Sequence, residues 1–436
     1  MGESVGKATK LLRFFGPSGG GRSVLAIMSG SLASYVINLA SLPIISRLYG
    51  PEAFGVFSLV ASLASVVVPV ATLRLENAAL LPREPKGVAP IVWLAVISAL
   101  TTSALYATGV AAWILLGHGS DSANLDVAAW VFLATALGAL FSLFSQLALR
   151  RKRYTAVAKR TVYQSLGTAF GQIAAAAITR GSSGLNAGYV FGRTLGIAAL
   201  YKESRVFIRR TSFRSLKEAL VRYWRFPVVF APSALLNALG LQIPLLFIVS
   251  HYGTTLGGQV GMAAKITAIP IALIGTAVGQ VLAAEFSHKI RARQGGYFKA
   301  LLRVSAALGA VALCSAVVIA LAAPWFVPLY LGEEWVQAGE FAQILAIVSS
   351  LRLVTGPTSG IIILFERSLA NSVLDATRVV LVGLAAVVVS IRDLPLSTAL
   401  WLLYGSLALT HIFTWLYVVK LTFVESQRAE RSLPDD

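Results

Sequence analysis

The chain has 436 residues, 56% of them hydrophobic and only 13% charged, with a mean hydropathy of +0.75. Soluble domains carry about a quarter charged residues to solvate their surface, so this composition excludes an ordinary water-soluble enzyme and indicates a chain that crosses a membrane many times. The net charge of +18 would suggest nucleic acid in a soluble protein; in a membrane protein it suggests Lys- and Arg-rich cytoplasmic loops, and no nucleic-acid partner is expected.

The first residues, Met1–Arg22, carry Lys7, Lys10, Arg13 and Arg22 against Glu3. The apolar run behind them is too long for the core of an export signal and long enough to span a bilayer, which predicts a retained first helix. A membrane helix needs about 20 mostly apolar residues. Twelve segments meet or nearly meet that: Ser23–Ile45, Phe54–Leu80, Val88–Leu116, Leu125–Leu149, Thr161–Thr179, Leu185–Tyr201, Phe226–Ser250, Val260–Ala284, Leu301–Ala323, Phe341–Phe365, Leu369–Ile391 and Leu396–Thr422. The sixth is short and rich in glycine, with Gly188, Gly192 and Gly196.

Loop charge tests this count independently. Of the 37 Lys and Arg, 29 fall in the N-terminal segment, in the loops after even-numbered spans, at the C-terminal end, or within three residues of the inner end of a span, as Arg303 and Lys420 do. Only Arg47, Arg180 and Arg392 fall in loops after odd-numbered spans, and Arg74, Arg193, Lys265, Arg352 and Arg378 fall inside spans. The alternation predicts both termini on the cytoplasmic side. The longest inner loop, Lys202–Arg225, ends in an amphipathic stretch. Ser212 is its expected N-cap, and Leu216, Ala219, Leu220 and Tyr223 are expected to share one face.

The chain also echoes itself at a spacing of 203 residues. Leu42-Pro43 with Tyr49-Gly50 resembles Ile243-Pro244 with Tyr252-Gly253, Gly55 falls on Gly258, and Pro69 lies near Pro270. The expected organisation is therefore an all-α polytopic membrane protein of about 12 transmembrane helices, in two six-helix lobes around a central cavity. Residues 1–201 form one lobe, 202–225 an amphipathic cytoplasmic linker and 226–436 the second lobe. Prolines inside the spans (Pro43, Pro69, Pro227, Pro232, Pro244, Pro270 and Pro357) kink helices and suit a moving transporter.

Charges within spans are costly, about 2.5–3.5 kcal/mol each at the bilayer centre, so they are candidate functional groups. Arg193 and Arg352 lie near the middle of spans six and ten. Lys265 is expected about one turn inside span eight, and Arg74 near the inner end of span two, followed by Glu76. Arg378 stands three residues from Asp375, on the same helical face. The excess is cationic, which suits an anionic ligand, and arginine binds two phosphate oxygens at once. Asp375 and His411 are the groups available for ion or proton coupling. No Walker A, nucleophile-elbow, HExxH or dinucleotide motif is present, so neither an enzyme nor a cofactor or metal is expected. The single cysteine, Cys314, excludes an intrachain disulfide and is expected to be a small buried apolar residue.

Leu42-Pro-Ile-Ile-Ser-Arg-Leu-Tyr-Gly-Pro-Glu-Ala-Phe-Gly55 resembles the first-loop signature of polysaccharide biosynthesis proteins, the O-antigen type oligosaccharide flippases. Leu73–Pro82 is similar to the end of their second span. Tyr223-Trp-Arg-Phe-Pro227, Pro244, Gly253, Ala264-Lys265, Pro270, Ile274-Gly275 and Gln280 are similar to their pattern from the linker to the eighth span. The resemblance implies the fold of the multidrug, oligosaccharidyl-lipid and polysaccharide exporter superfamily. It also implies an oligosaccharide on polyprenyl diphosphate as substrate, flipped across the bacterial inner membrane. Arg47, Arg74, Glu76 and Lys265 lie in the matching motifs. Many relatives carry an acidic residue in the seventh span, where this chain has Gln242-Ile-Pro244.

The expected function is an alternating-access flippase for a lipid-linked anionic oligosaccharide, in contact with membrane lipids and polysaccharide assembly machinery. Two rivals are a multidrug exporter of the same fold, which needs an anionic site, and a membrane-embedded polymerase or ligase, which needs a large outer loop.

Overall fold

The computed structural model of the chain describes residues 19–118, 125–270, 274–291 and 295–431. Lys7, Lys10 and Arg13 lie outside the described residues. Every regular element among those described is helical: α1 Gly19–Leu48, α2 Pro51–Ala71, α3 Leu75–Ala78, α4 Ala89–Trp113, α5 Leu125–Arg150, α6 Tyr154–Ala175, α7 Ser182–Ser204, α8 Phe213–Arg222, α9 Ala231–Tyr252, α10 Thr254–Pro270, α11 Thr276–Arg291, α12 Tyr297–Leu331, α13 Val336–Leu364, α14 Ser368–Arg392 and α15 Leu396–Arg431. Helix satisfies the backbone internally, which a hydrocarbon environment demands.

Among the described residues, nine helices are long and apolar enough to cross a membrane. Predicted spans five and six coincide with α6 and α7, which are less apolar, and span eight falls on α10 and α11. The exterior is apolar: Leu105 is 75% exposed, Leu313 67% and Ile391 76%. Such surface needs lipid around it. Cys314 is exposed rather than buried as expected, because an apolar run meets lipid as readily as protein.

Two of the boundaries that differ from the sequence expectation move candidate residues. The second was expected to run to Leu80, but α2 stops at Ala71. Leu73 and Arg74 adopt left-handed backbone (φ 54° and 59°) before the short α3. Pro69 lies in the last turn of α2. The eighth was expected to start at Val260. Instead α10 starts at Thr254 and ends at Pro270. Lys265 is therefore several turns into α10, not one.

The chain forms two compact units. The first comprises residues up to Ile45, Val68–Ala111 and Ala128–Ala231; the second comprises Ser46–Val67, Ala112–Val127 and residues from Pro232 onward.

In the first unit, α6 and α7 pack backbone to backbone. A β-carbon on Gly188 would lie 2.3 Å from the Gln172 nitrogen, and one on Gly192 2.0 Å from the Thr168 hydroxyl. The glycines that made span six look weak are thus its packing face, since small residues let membrane helices approach closely. Leu75, Ala78, Ile91, Leu143, Leu147 and Phe207 form a core that also takes Ala219 and Tyr223 from the α8 segment. Ser212 caps α8, accepting from the Ser215 amide at 3.2 Å. Ala219 and Tyr223, four residues apart, set the face of α8 that packs on this core, and Leu220 is exposed.

In the second unit, α2 and α10 cross at their first turns. A β-carbon on Gly55 would lie 1.8 Å from the Thr254 carbonyl oxygen, and one on Gly258 1.9 Å from that of Pro51. A β-carbon on Gly261 would lie 2.5 Å from the Ser58 hydroxyl. The 203-residue echo, which maps 51 to 254 and 55 to 258, exchanges the first two contacts with each other, and the third joins an echo pair directly, 58 to 261. The contact is reciprocal, as a two-fold repeat requires. Around it, Trp335 donates its indole N–H to the Ser46 carbonyl at 3.1 Å, and the Ser46 hydroxyl donates to Leu331 at 2.8 Å. The Phe54 and Trp335 rings meet edge to face at 5.5 Å. Gln259 donates to the Glu334 carbonyl at 2.5 Å and accepts from the Ala338 amide at 2.9 Å.

Candidate functional site

Buried charge concentrates in the second unit. Asn371, Asp375 and Arg378 recur every three or four residues along α14 and so share a face. Asp375 and Arg378 are 5% and 6% exposed, and their side chains pair at 3.0 Å. Asn371 donates its amide to the other Asp375 oxygen at 2.9 Å. From α9, the Asn237 carbonyl oxygen accepts from Arg378 at 2.8 Å. Gly240, one turn on, leaves room for the Arg378 stem: a β-carbon there would lie 3.0 Å from it. From α15, the Thr410 hydroxyl accepts from Arg378 Nε at 3.4 Å. Its neighbour His411 shares a hydrogen bond at 3.1 Å between Nδ1 and Thr355 of α13. The other imidazole nitrogen, Nε2, is buried with no partner among the described residues.

Three acceptor oxygens from three helices thus surround one guanidinium. Charge on a buried group must be compensated, and here Arg378 compensates Asp375. The arrangement satisfies both and leaves neither as an obvious ligand for a substrate.

The other candidate cations divide by partner. Arg74 pairs with Glu76 at 3.6 Å, while Glu76 also accepts from Thr72. The Lys265 ammonium lies 5.6 Å from the centre of the Phe54 ring, a cation–π contact. Arg47 is exposed in the last turn of α1. Arg352, three residues before Thr355, is exposed; no carboxylate lies within ion-pair reach of it among the described residues. Arg193 belongs to the first unit. Its guanidinium lies 4.6 Å over the Tyr189 ring and donates to the Tyr189 hydroxyl. It occupies the space that Gly138 leaves, where a β-carbon would be 2.3 Å from Nη1. It has no carboxylate partner among the described residues, and its Nε is buried and unpaired.

Sequence reasoning identified the charges but not the neutral groups that hold them: Tyr189, Asn237, Asn371, Thr355 and Thr410. For Tyr189 and Asn371 a signal was available, since each stands four residues before the charged side chain it contacts. Asn237 and Thr410 come from other helices, and no local spacing announces them.

The family description "Polysaccharide biosynthesis protein" matches residues 44–340. This chain belongs to that family. Family membership and the apolar helices make it a multi-pass membrane protein of polysaccharide biosynthesis. No curated protein matches the sequence. Among solved structures, the lipid II flippase MurJ in an inward closed conformation aligns with a TM-score of 0.66 at 10% identity, covering 94% of each chain. An inward-facing multidrug resistance MATE family transporter of the MOP superfamily aligns with 0.57 at 15% identity, covering 94% of this chain and 99% of that one. A MOP superfamily transporter from Pyrococcus furiosus aligns with 0.56 at 15% identity, covering 92% of this chain and 96% of that one. At these identities the likeness establishes the fold alone: this polysaccharide biosynthesis protein has the polytopic helical fold that these structures share.

Proposed function

We propose that this protein is an alternating-access flippase. It carries an oligosaccharide linked to polyprenyl diphosphate across the bacterial inner membrane for surface polysaccharide assembly. The observation that supports this best is the pair of deep arginines, Arg193 and Arg352, without a carboxylate partner among the described residues. A cation held in an apolar environment needs an anion, and a diphosphate supplies one that arginine grips bidentately. The MOP fold supports a transporter, and the family supports a saccharide cargo. A cationic drug would need a free deep carboxylate, and Asp375 is taken up by Arg378.

In this reading Arg193 and Arg352 are offered to the diphosphate, polar groups meet the sugars, and the prenyl chain stays in lipid. The test is complementation of a strain lacking the gene, with membrane protein measured in parallel. The Arg193→Gln/Arg352→Gln double variant is expected to lose most surface polysaccharide at normal abundance. Single Arg→Lys variants keep the charge but not the fork and are expected to retain part of it. Normal polysaccharide from the double Gln variant would end this assignment.

The same reading places both termini in the cytoplasm, from the loop-charge split. Reporter fusions after Gly253 and Glu333 are expected outside, and fusions after Arg153 and Arg210 inside. One reproducible reversal breaks the topology.

A further inference from the structure

We propose that α8 is a membrane-surface helix that binds the headgroups of anionic phospholipid in the adjoining leaflet, whatever cargo the protein carries. Its packing fixes its level. Ala219 and Tyr223 share one core with Ile91 and Val92, in the first turn of α4, and with Leu147, in the last turn of α5. Both of those helices are long and apolar enough to cross a membrane, so α8 lies where they leave the hydrocarbon. Trp93, also at the start of α4, donates its indole N–H to the Arg209 carbonyl at 2.9 Å. That bond ties the chain ahead of α8 to the same level, a boundary that tryptophan favours.

The rest of the α8 surface divides into two arcs. Phe213 and Leu220 are seven residues apart, and Trp224 follows in the turn after the helix, so the three form one stripe, with Val221 beside it. All four are exposed, Phe213 by 82% and Val221 by 65%. Lys217 stands inside this apolar arc, four residues from Phe213 and from Val221. The second arc is charged and carries Arg214, Glu218, Arg222 and Arg225. Glu218 is taken up by Arg214 at 3.0 Å. Lys217, Arg222 and Arg225 are exposed and have no ion pair among the described residues.

Two features identify the occupant. An exposed apolar arc needs hydrocarbon rather than water, and the cations beside it need fixed negative charge. A leaflet with anionic headgroups supplies both, at the level where packing holds the helix. Phe213, Leu220, Val221 and Trp224 then dip below the headgroups. Lys217 reaches from among them to a phosphate, and Arg222 and Arg225 line the headgroup layer.

The test is lipid selectivity read at α8 in the full-length protein. Val221→Cys in a Cys314→Ser background carries a fluorophore, and the protein is reconstituted with brominated phosphatidylglycerol or brominated phosphatidylcholine as quencher. The association constant of the anionic quencher is expected to exceed that of the zwitterionic one about fivefold or more, the scale of one cation at a membrane surface. Raised salt should bring the ratio toward one, and so should Lys217→Gln/Arg222→Gln/Arg225→Gln. The same fluorophore on the native Cys314, exposed on α12, should meet both lipids equally.

A ratio of one at position 221 overturns the proposal. So does a ratio that salt does not lower, or one that the triple variant keeps at a wild-type unfolding temperature. If the triple variant unfolds, the salt series decides alone. An equal preference at Cys314 would belong to the whole protein and removes the assignment to α8. No quenching by either lipid at position 221 also overturns it, because the face then meets water or a protein. Export is not measured, so failure here leaves the flippase reading standing, and failed complementation leaves the lipid helix standing.

Discussion

On the flippase reading, Gly258→Leu is expected to abolish polysaccharide export while the protein still inserts in the membrane. A β-carbon at this position would lie 1.9 Å from the Pro51 carbonyl oxygen, and Gly55 faces Thr254 at 1.8 Å. Both obstacles are backbone, so no rotamer change relieves them. The starts of α2 and α10 must separate, undoing the close approach that small residues permit. Overpacking costs about 1–3 kcal/mol, and each 1.4 kcal/mol is about tenfold in a conformational population. The contact joins one element of each sequence repeat within the second unit, so separating the two helix starts disturbs the seam between the repeats. A population readout follows from Ser58 and Gly261, whose β-carbons would be 3.1 Å apart. In a Cys314→Ser background, the Ser58→Cys/Gly261→Cys pair is expected to form a disulfide, close to the usual β-carbon spacing. Adding Gly258→Leu should cut its yield about tenfold or more. Undiminished cross-linking, or normal export by Gly258→Leu, would show that the crossing is not required.

Asp375→Asn is expected to be worse than losing Asp375 and Arg378 together. The single change leaves the Arg378 guanidinium buried without its carboxylate. Breaking a buried pair in this way costs about 3–5 kcal/mol, whereas replacing both partners by apolar residues is often neutral. Membrane abundance and unfolding temperature in detergent should therefore fall for Asp375→Asn and for Arg378→Met, and recover in Asp375→Leu/Arg378→Met. The same geometry predicts export without sodium dependence, because the oxygens of Asp375, Asn237 and Thr410 already surround a built-in cation. Equal stability of all three variants would remove the pair from the structural account. A steep sodium requirement abolished by Asp375→Asn would mean that Asp375 serves an ion instead.

What the sequence determined by itself follows from the bilayer. Hydrocarbon demands about 20 apolar residues per crossing and penalises every charge within it, so spans and deep arginines could be read directly from composition and position. The echo linking Gly55 to Gly258 was equally legible, since a repeat leaves its mark in linear order. Helix ends were less so. Apolar content carries no information about the left-handed turn at Leu73 and Arg74, and it misses the start of α10 at Thr254 because the first turns of that helix, Thr254-Thr-Leu-Gly-Gly-Gln259, are polar.

Only the tertiary structure decided which cations are already matched. The sequence set Asp375 beside Arg378, but only the packing of α9 and α15 brings Asn237 and Thr410 to it, while Arg352 stays exposed. Arg160 stands just before the expected start of span five, and its place over Phe141 depends on the packing of α6 against α5. The physical reason is range. Solvation is a property of a residue and its near neighbours in the chain, whereas pairing is a property of separate helices, here 32 and 141 residues away from Arg378.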